Sequence, residues 1–334
     1  MEIIKIGDTR SQVLVGETYR NLEKYLPKDR RVIVIADANI LKHYSDFFQQ
    51  WSVIEIFASE KLKTIKNVEY IYHLLLKNNA DRNCFIVIAG GGIVCDLAGY
   101  AASTFMRGIP FGFVSTTLLS QVDASVGGKN GVNFYQYKNM IGTFTQPHFV
   151  ICDTEMLNTL PEREFISGFA EIVKAAVIRD AALFEYLEQN VEKALARDPE
   201  VIQHLVTEAI KIKADVVAQD EREQGERRIL NFGHTFGHAI EAIKGISHGK
   251  AVSIGMMIAA RRSVAEAGFP QSSYERLEQL LTRLGLPVDA KAHSEVLFNY
   301  LQKDKKREGD HINFVLLTEI GKAIVSKTPL DMLR

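Results

Sequence analysis

Arg30–Asp37 (RRVIVIAD) and Asn83–Gly90 (NCFIVIAG) are short, β-branched apolar runs, each ending in residues that suit a turn. A run without polar alternation has no face to offer water. It belongs in a strand covered on both sides, as strands of a parallel sheet are. Between the two, Val68–Lys77 puts Val68, Ile71, Tyr72 and Leu75 on one helical face. Phe111–Thr117 (FGFVSTT) reads as another strand. Strand and helix in this alternation predict an α/β domain on a mostly parallel sheet.

After about Leu157 the pattern turns helical, with helices expected at Glu162–Arg179, Pro199–Gln219, Phe232–Lys244, Lys250–Ala267 and Ser272–Leu284. Thr159-Leu-Pro-Glu162 has the form of a capping box, and Asp198-Pro199-Glu200 starts a helix in the same manner. One short strand is expected, at Ile312–Leu317. The expectation is an α/β domain over residues 1–156 and an all-α domain over 157–334, joined near Asp153–Thr159. No repeat or low-complexity tract separates them, so close packing is expected, with the cleft as the default site.

Composition narrows the functions. Among 334 residues the formal net charge is −1, which gives no bulk attraction to nucleic acid or an anionic membrane. The three cysteines (Cys84, Cys95, Cys152) are far apart without a CxxC, which fits a reducing compartment. The start, MEIIKIGDTR, has no apolar stretch of signal-peptide type, and the longest apolar run, Val252–Ala260, is too short to span a bilayer. A cytoplasmic protein is expected, with neither membrane nor nucleic-acid partner.

Five segments carry chemistry. Gly90-Gly-Gly-Ile-Val-Cys-Asp96 follows a strand and opens a helix, so its backbone N–H groups suit a diphosphate. It departs from GxGxxG at Cys95, and a tight strand–helix turn is the plain alternative. Asp37 ends an earlier strand, where a carboxylate meets a ribose hydroxyl or caps a helix. Gln121–Lys129 (QVDASVGGK) with Lys138-Asn139 puts glycines and lysines in a loop-like stretch, the makings of an anion cradle. Glu171 and Lys174, i and i+3 in a nearly all-apolar helix, form a charged pair that is costly to bury without partners.

Asn231–Glu241 (NFGHTFGHAIE) sets His234 and His238 one turn apart, and His248-Gly249 follows. Histidines at i, i+4 suit a metal, and the glutamate of HExxH is missing. With Glu171 they make a His/His/carboxylate set that leaves positions open, the mark of a catalytic metal. Spacing leaves open whether His238 or His248 is the second imidazole ligand. Lastly, Lys213 and the charged run Asp220–Arg228 lead into the histidine helix, and Asp304-Lys305-Lys306 is a further basic patch. Solvated faces are the plain reading of both.

Together GGGIVCDLAGY, FMRG, STTLLSQVDASVGGK, KNMIGTF, LNTLPEREFISGFAEIVK, DEREQGERRILNFGHTFGHAIE and HGK resemble 3-dehydroquinate synthase, within the sugar phosphate cyclases, from about Asp37 to Leu317. The resemblance implies a Rossmann-like nucleotide-binding domain and a helical metal domain with the active site between them. It implies Glu171, His234 and His248 as ligands of Zn2+ or Co2+. It makes His238 a proton-transfer group, Glu223 a second base, and Lys129 and Lys174 catalytic cations. Substrate contacts implied are Asp123, Lys129, Asn139, Lys174, Lys213, Arg227, Asn231 and Lys305 or Lys306. Arg107 is similar to an arginine that reaches a neighbour's phosphate across a homodimer interface. NAD contacts implied are Asp37, Glu60, Lys63, Gly91, Gly92, Asp96, Thr116, Thr117, Lys138 and the segment around Thr159. Ser115 stands where the family usually has proline, Cys95 where it has glycine, and Lys250 where it commonly has glutamate.

The implied activity converts 3-deoxy-D-arabino-heptulosonate 7-phosphate, a small phosphorylated sugar acid, to 3-dehydroquinate and phosphate. NAD takes and returns one hydride, so it is catalytic. Arg227 with Lys213 suits a substrate carboxylate, which weighs against cyclases of the 2-deoxy-scyllo-inosose or 2-epi-5-epi-valiolone synthase type. The lysine-rich GGK and KN segments weigh against a metal-dependent polyol dehydrogenase.

Overall fold

Both apolar runs are strands buried from end to end at their centres. In the computed structural model, which describes residues 1–7, 11–135, 137–289, 307–308 and 311–329, the chain divides into two compact units, Met1–Pro161 and Glu162–Arg334. The first contains β1 (Glu2–Lys5), β2 (Gln12–Val15), β3 (Arg31–Asp37), α1 (Ala38–Phe48), β4 (Ser52–Ile56), α2 (Ile65–Lys77), β5 (Cys84–Gly90), α3 (Gly92–Thr104), β6 (Phe111–Ser115), β7 (Lys129–Phe134), β8 (Tyr137–Phe144) and β9 (Phe149–Cys152).

Seven strands form one sheet in the order β1-β2-β9-β6-β5-β3-β4. Every neighbouring pair is parallel except β1 with β2. Val34 of β3 lies beside Val53 of β4 and Val87 of β5, so side chains of like size share a layer. Val34, Phe48, Phe85, Val87, Val114 and Ile151 belong to one buried cluster. The chain steps outward from β3 to β4 and then returns to β5 on the other side. That reversal opens a crevice at the carboxyl ends of β3 and β5, where such sheets take ligands. Asp37 and Gly90 are the residues that end those strands.

The lysine-rich stretch is not the loop its composition predicts. Ser120–Ala124 is a short π-helical segment. Gly127 and Gly128, at φ of 100° and 71°, then turn the chain into the antiparallel hairpin β7–β8. Facing glycines bring the two strands close: a Cβ on Gly142 would sit 2.5 Å from the Asn130 carbonyl oxygen.

The second unit holds α4 (Glu162–Arg179), α5 (Ala181–Gln189), α6 (Val191–Leu195), α7 (Pro199–Gln219), α8 (His234–Lys244), α9 (His248–Ala267) and α10 (Gln271–Arg283). It is not all-α. β10 (Arg307–Glu308), β11 (His311–Glu319) and β12 (Lys322–Pro329) form an antiparallel sheet. β11 buries Ile312 and Phe314–Leu317, whereas β12 is mostly exposed and carries lysines, which hid it from pattern reading.

Asp198 caps α7, accepting from the N–H groups of Glu200 and Val201 at 3.1 Å each. The expected capping box at Thr159 does not form. That residue closes a 3-10 turn, Thr154–Thr159, and its hydroxyl donates to the Met156 carbonyl at 3.1 Å. α9 begins at His248, two residues before the apolar pattern, with Ser247 at the N-cap.

Candidate metal centre and nucleotide-binding edge

Helix α4 buries residues on all sides, and Glu171 lies among them with its side chain 1% exposed. Glycines decide what reaches it. A Cβ on Gly249 would lie 2.0 Å from the Ser167 carbonyl oxygen, and the Gly249 N–H donates to the Ser167 hydroxyl at 3.0 Å. The first turn of α9 is thereby pressed onto α4 one turn before Glu171. A Cβ on Gly255 would lie 1.9 Å from the Gly233 carbonyl oxygen, so the start of α8 is pressed onto α9. Gly233 itself takes φ +76°, which separates α8 from the 3-10 turn Glu226–Asn231.

Three donor side chains meet there. Glu171 Oε1 lies 3.5 Å from His234 Nε2 and 3.2 Å from His248 Nε2. The three ligand atoms all lie within 4.8 Å of one another. Metal bonds of about 2.0–2.1 Å in a tetrahedral site put neighbouring donors roughly 3.3 Å apart, so the spacing fits a small divalent cation. The other ring nitrogens are engaged. His234 Nδ1 lies 3.1 Å from the Phe232 carbonyl oxygen, and His248 Nδ1 lies 3.2 Å from Glu241 Oε2. With Nδ1–H donated to oxygen, Nε2 is the nitrogen that would bind a cation beside Glu171, the arrangement of a histidine ligand with an outer hydrogen-bond acceptor.

The electrostatics agree with this donor set. Burial works against charge on Glu171, yet Lys174 and His234 hold its carboxyl well below the usual range. Burial opposes charge on His248 too, but hydrogen bonds to Glu171 and Glu241 push it up to about 10. An anionic carboxylate therefore sits between two imidazoles and a lysine, a charge pattern in which one proton can be exchanged for a cation.

The remaining second-unit candidates cluster unevenly. Lys174 is buried against Glu171 in an ion pair. His238 sits beside the ligand group, edge-on to His234 with ring centroids 5.2 Å apart, and its centroid lies 6.2 Å from that of His248. Lys213 on α7 and Arg227 are both buried. The charged run is a loop folded around Asp220, whose carboxylate accepts from the N–H groups of Gln224, Gly225 and Arg227 at 2.9, 2.7 and 3.2 Å. Against burial, those bonds lower the Asp220 carboxyl. The loop holds Glu223 at φ +59° and lets the Asn231 amide donate to its carboxylate. Arg227 donates to the Glu221 carbonyl. Asp220 and Glu241 are the organisers that residue-type reasoning missed. Glu241, seven residues before His248 on the histidine helix, was the readable signal. Lys305 and Lys306 lie outside the described residues.

In the first unit Asp37, Gly91, Gly92, Thr116 and Thr117 lie at the carboxyl ends of β3, β5 and β6. Asp37 accepts from the Asn39 N–H at 3.0 Å and so caps α1, and burial raises its carboxyl. Gly91 is the N-cap of α3, and a Cβ there would lie 2.7 Å from Thr117 Cγ2. A Cβ on Gly92 would meet Ala124 Cβ at 2.9 Å. The Thr116 N–H donates to the Gly90 carbonyl at 3.1 Å. The helix end thus stays open to an anion while the adjacent threonine turn closes over it.

Lys63 is buried and ion-paired with Asp96, whose carboxyl burial raises against the pull of that ammonium. Lys138 pairs with Glu60 at 3.2 Å. The Thr159 hydroxyl meets Tyr44 of α1 at 3.0 Å. Ser115, in place of proline, bonds to the Ser120 hydroxyl at 2.6 Å, which also meets Thr117 at 3.0 Å. Burial pushes the Cys95 thiol well up, so it packs rather than reacts. Asp123 is half-buried, and Lys129 and Asn139 are exposed on the hairpin. Arg107 is exposed at φ +70°, directly after Met106 at φ +50°.

Sheet, switch point and His/His/carboxylate cluster together have the architecture of the sugar phosphate cyclases. A solved 2-deoxy-scyllo-inosose synthase complexed with carbaglucose-6-phosphate, NAD+ and Co2+ matches with TM-score 0.89 and 28% identity, over 100% of this chain and 99% of that one. A 2-epi-5-epi-valiolone synthase from Streptomyces hygroscopicus subsp. jinggangensis 5008, with NAD+ and Zn2+ bound, shares the fold at TM-score 0.91 and 24% identity, over 100% of this chain and 97% of that one. Within that class, residues 53–167 match the family model for the 3-dehydroquinate synthase N-terminal region and residues 168–307 that for the C-terminal region. The 3-dehydroquinate synthase of Halorhodospira halophila (strain DSM 244 / SL1) is 41% identical over 97% of this chain and 94% of its own. The chain belongs to the 3-dehydroquinate synthase family.

Proposed function

We propose that the protein converts 3-deoxy-D-arabino-heptulosonate 7-phosphate to 3-dehydroquinate and phosphate, with catalytic NAD and one Zn2+ or Co2+. The observation that carries this is the Glu171–His234–His248 cluster, built in a chain 41% identical to a 3-dehydroquinate synthase. Glu171, His234 and His248 would hold the cation, and the first unit, Met1–Pro161, would hold NAD at its sheet edge. When bound, NAD supplies a reversible hydride acceptor, and the divalent cation supplies Lewis acidity and stabilises developing negative charge.

The chain's own residues do the rest. Asp37, Gly91, Gly92, Thr116, Thr117 and Thr159 seat the dinucleotide, with the open end of α3 facing its diphosphate. Glu60, Lys63, Asp96 and Lys138 form the charged border of that seat. Lys129, Lys174, Lys213 and Arg227 bind the substrate's phosphate and carboxylate, each charged hydrogen bond contributing on the order of 1.5–3 kcal/mol. Lys305 or Lys306 adds to that clamp. Asn139, Asn231 and Asp123 orient the hydroxyls. His238, beside the ligand cluster and not part of it, moves the proton of the hydroxyl being oxidised. Glu223, held by Asn231, is the second base. Asp37 as helix cap and as ribose partner are compatible, because each carboxylate oxygen can accept more than one hydrogen bond.

A homodimer is part of the proposal. The hairpin and the turn before β6 expose Phe134, Tyr135, Met140, Phe144 and Met106. A hydrophobic patch of that kind marks an interface. Consecutive left-handed conformations at Met106 and Arg107 are strained for non-glycine residues, and strain of this sort collects at functional sites. Arg107 would reach the neighbour's substrate phosphate.

The test is direct. Purified protein is given the seven-carbon phosphate, substoichiometric NAD and Zn2+. Inorganic phosphate and 3-dehydroquinate are expected, without net NADH. Stoichiometric NADH would point to a dehydrogenase, and turnover confined to a hexose or heptulose phosphate lacking the carboxylate would point to the other cyclases.

A further inference from the structure

The β7–β8 hairpin carries Lys129, Lys138 and Asn139, yet neither strand belongs to the seven-stranded sheet. Its placement comes from contacts outside that sheet. At the base, the buried Asn130 donates to the Gly128 and Thr145 carbonyls at 3.0 and 2.9 Å. Gly99 lets α3 come against it, since a Cβ there would lie 2.2 Å from Asn130 Oδ1.

Toward the tip, Asn133 does the equivalent work. Its Nδ2 donates to Glu60 Oε1 at 2.9 Å. Its Oδ1 accepts from the Asn139 N–H at 2.9 Å. Its own backbone N–H donates to the Lys63 carbonyl at 2.8 Å. Lys138 Nζ reaches the same Glu60 oxygen at 3.2 Å, so both strands of the hairpin hold one carboxylate. Asn139 takes φ +49°, a left-handed conformation that asparagine adopts more readily than most residues and that a fixed partner can select. The Asn133 oxygen is a partner that holds it.

We infer that Asn133 is a positioning residue for the cyclase reaction: its side-chain amide sets the nucleotide-side Glu60 and the substrate-side Asn139 in one register, beside the backbone bond that ties the strand to Lys63. The inference rests on the proposed function for what Glu60 and Asn139 contact. Only a primary amide presents a donor at one end and an acceptor at the other, and both ends are used. An aspartate would keep the acceptor for Asn139 and face Glu60 with a second negative charge. A leucine would fill the volume and keep neither bond.

The experiment compares wild type, Asn133→Asp and Asn133→Leu, measuring NAD dissociation constants, KM and kcat for the seven-carbon phosphate, and melting temperature. For Asn133→Asp, NAD affinity is expected to fall about tenfold or more while KM stays within about threefold, because the bond to one partner becomes a repulsion and the bond to the other is retained. Asn133→Leu is expected to weaken both by about tenfold. Melting temperatures close to wild type are expected for both. If NAD affinities of both variants stay within about twofold of wild type, or if Asn133→Asp shifts NAD affinity and KM in parallel, Asn133 is an ordinary strand residue and the inference is overturned. A wild-type protein that binds NAD without cyclising the phosphate would sink the proposed function alone, since the NAD affinities still decide about Asn133.

Discussion

Glu241 touches no ligand atom facing the cluster, yet it determines how His248 presents one. Its Oε2 is 3.2 Å from His248 Nδ1, and Glu171 is 3.2 Å from the other ring nitrogen. Glu241→Ala is expected to lower metal affinity about 10- to 100-fold, and Glu241→Gln less, since an amide oxygen still accepts from Nδ1–H. Competition against a chromophoric chelator measures this, and equal affinities for all three proteins would reduce Glu241 to a neighbour. A pH dependence follows from the same contacts. Without metal, His248 keeps its proton up to about pH 10. A raised value means that the charged ring stabilises the metal-free fold fully below its ordinary range, and that this is lost as pH rises toward 10. A cation must displace the proton, so metal affinity should rise about tenfold per pH unit between pH 7 and 9, with one proton released per ion. Titration calorimetry in buffers of different ionisation enthalpy counts that proton; none released would refute the coupling. The types of residue at this site were legible from sequence, because histidines, a glutamate and glycines at close spacing have few other uses. The choice between His238 and His248 was not legible from spacing. It depends on where α9 begins, and that is fixed by the Gly249–Ser167 contact rather than by any local pattern.

Helices α4, α8 and α9 bring the donors together only because glycine stands at their crossings. Gly249→Ala would drive a methyl to 2.0 Å from the Ser167 carbonyl oxygen, and Gly255→Ala to 1.9 Å from that of Gly233. Neither backbone oxygen can move without moving a ligand-bearing helix. Each substitution is expected to cost on the order of 1–3 kcal/mol in stability and, in addition, to weaken metal binding. Gly245→Ala is the control: nothing lies within 4 Å of its Cβ position, and only its φ of +62° opposes the change. It should cost about 1 kcal/mol and leave metal affinity unchanged. Thermal unfolding with and without Zn2+ separates these outcomes; metal affinity preserved in Gly249→Ala would mean that the crossing does not set the ligand geometry. Elements with strong local signals were readable to the residue, as with Pro199–Gln219 behind its Asp198 cap. β12 was not, since its surface is polar and its pairing with β11 comes from chain reversal at Gly321. The hairpin was not either, because turn-type residues occupy its strands and Asn130 and Asn133 supply its anchorage.

For the whole molecule, the α/β alternation of the first half and the helical run of the second were carried by periodicity, whereas assembly leaves a weaker trace. Exposed Phe134, Tyr135, Met140 and Phe144 look like scattered surface apolars in sequence, and the structure places all four on one hairpin. If a second copy covers them, Arg107 belongs functionally to the other protomer, and that can be tested without a structure of the dimer. Two variants are needed, each inactive alone: Arg107→Ala and a variant dead at a residue of the same site. His238→Ala suits the second role better than Lys174→Ala, because Lys174 is buried against Glu171 and its loss would leave a buried charge unpaired at about 3–5 kcal/mol. In a mixed dimer the protomer with intact His238 receives Arg107 from its partner, so one of two sites is whole. Random reassociation makes about half the dimers mixed, and activity should return to about a quarter of wild type. Separately refolded variants combined afterwards should regain it only as fast as dimers exchange. Size-exclusion showing mixed dimers with no recovered turnover would return Arg107 to its own protomer, and the strained Met106–Arg107 turn would then need another reason to exist.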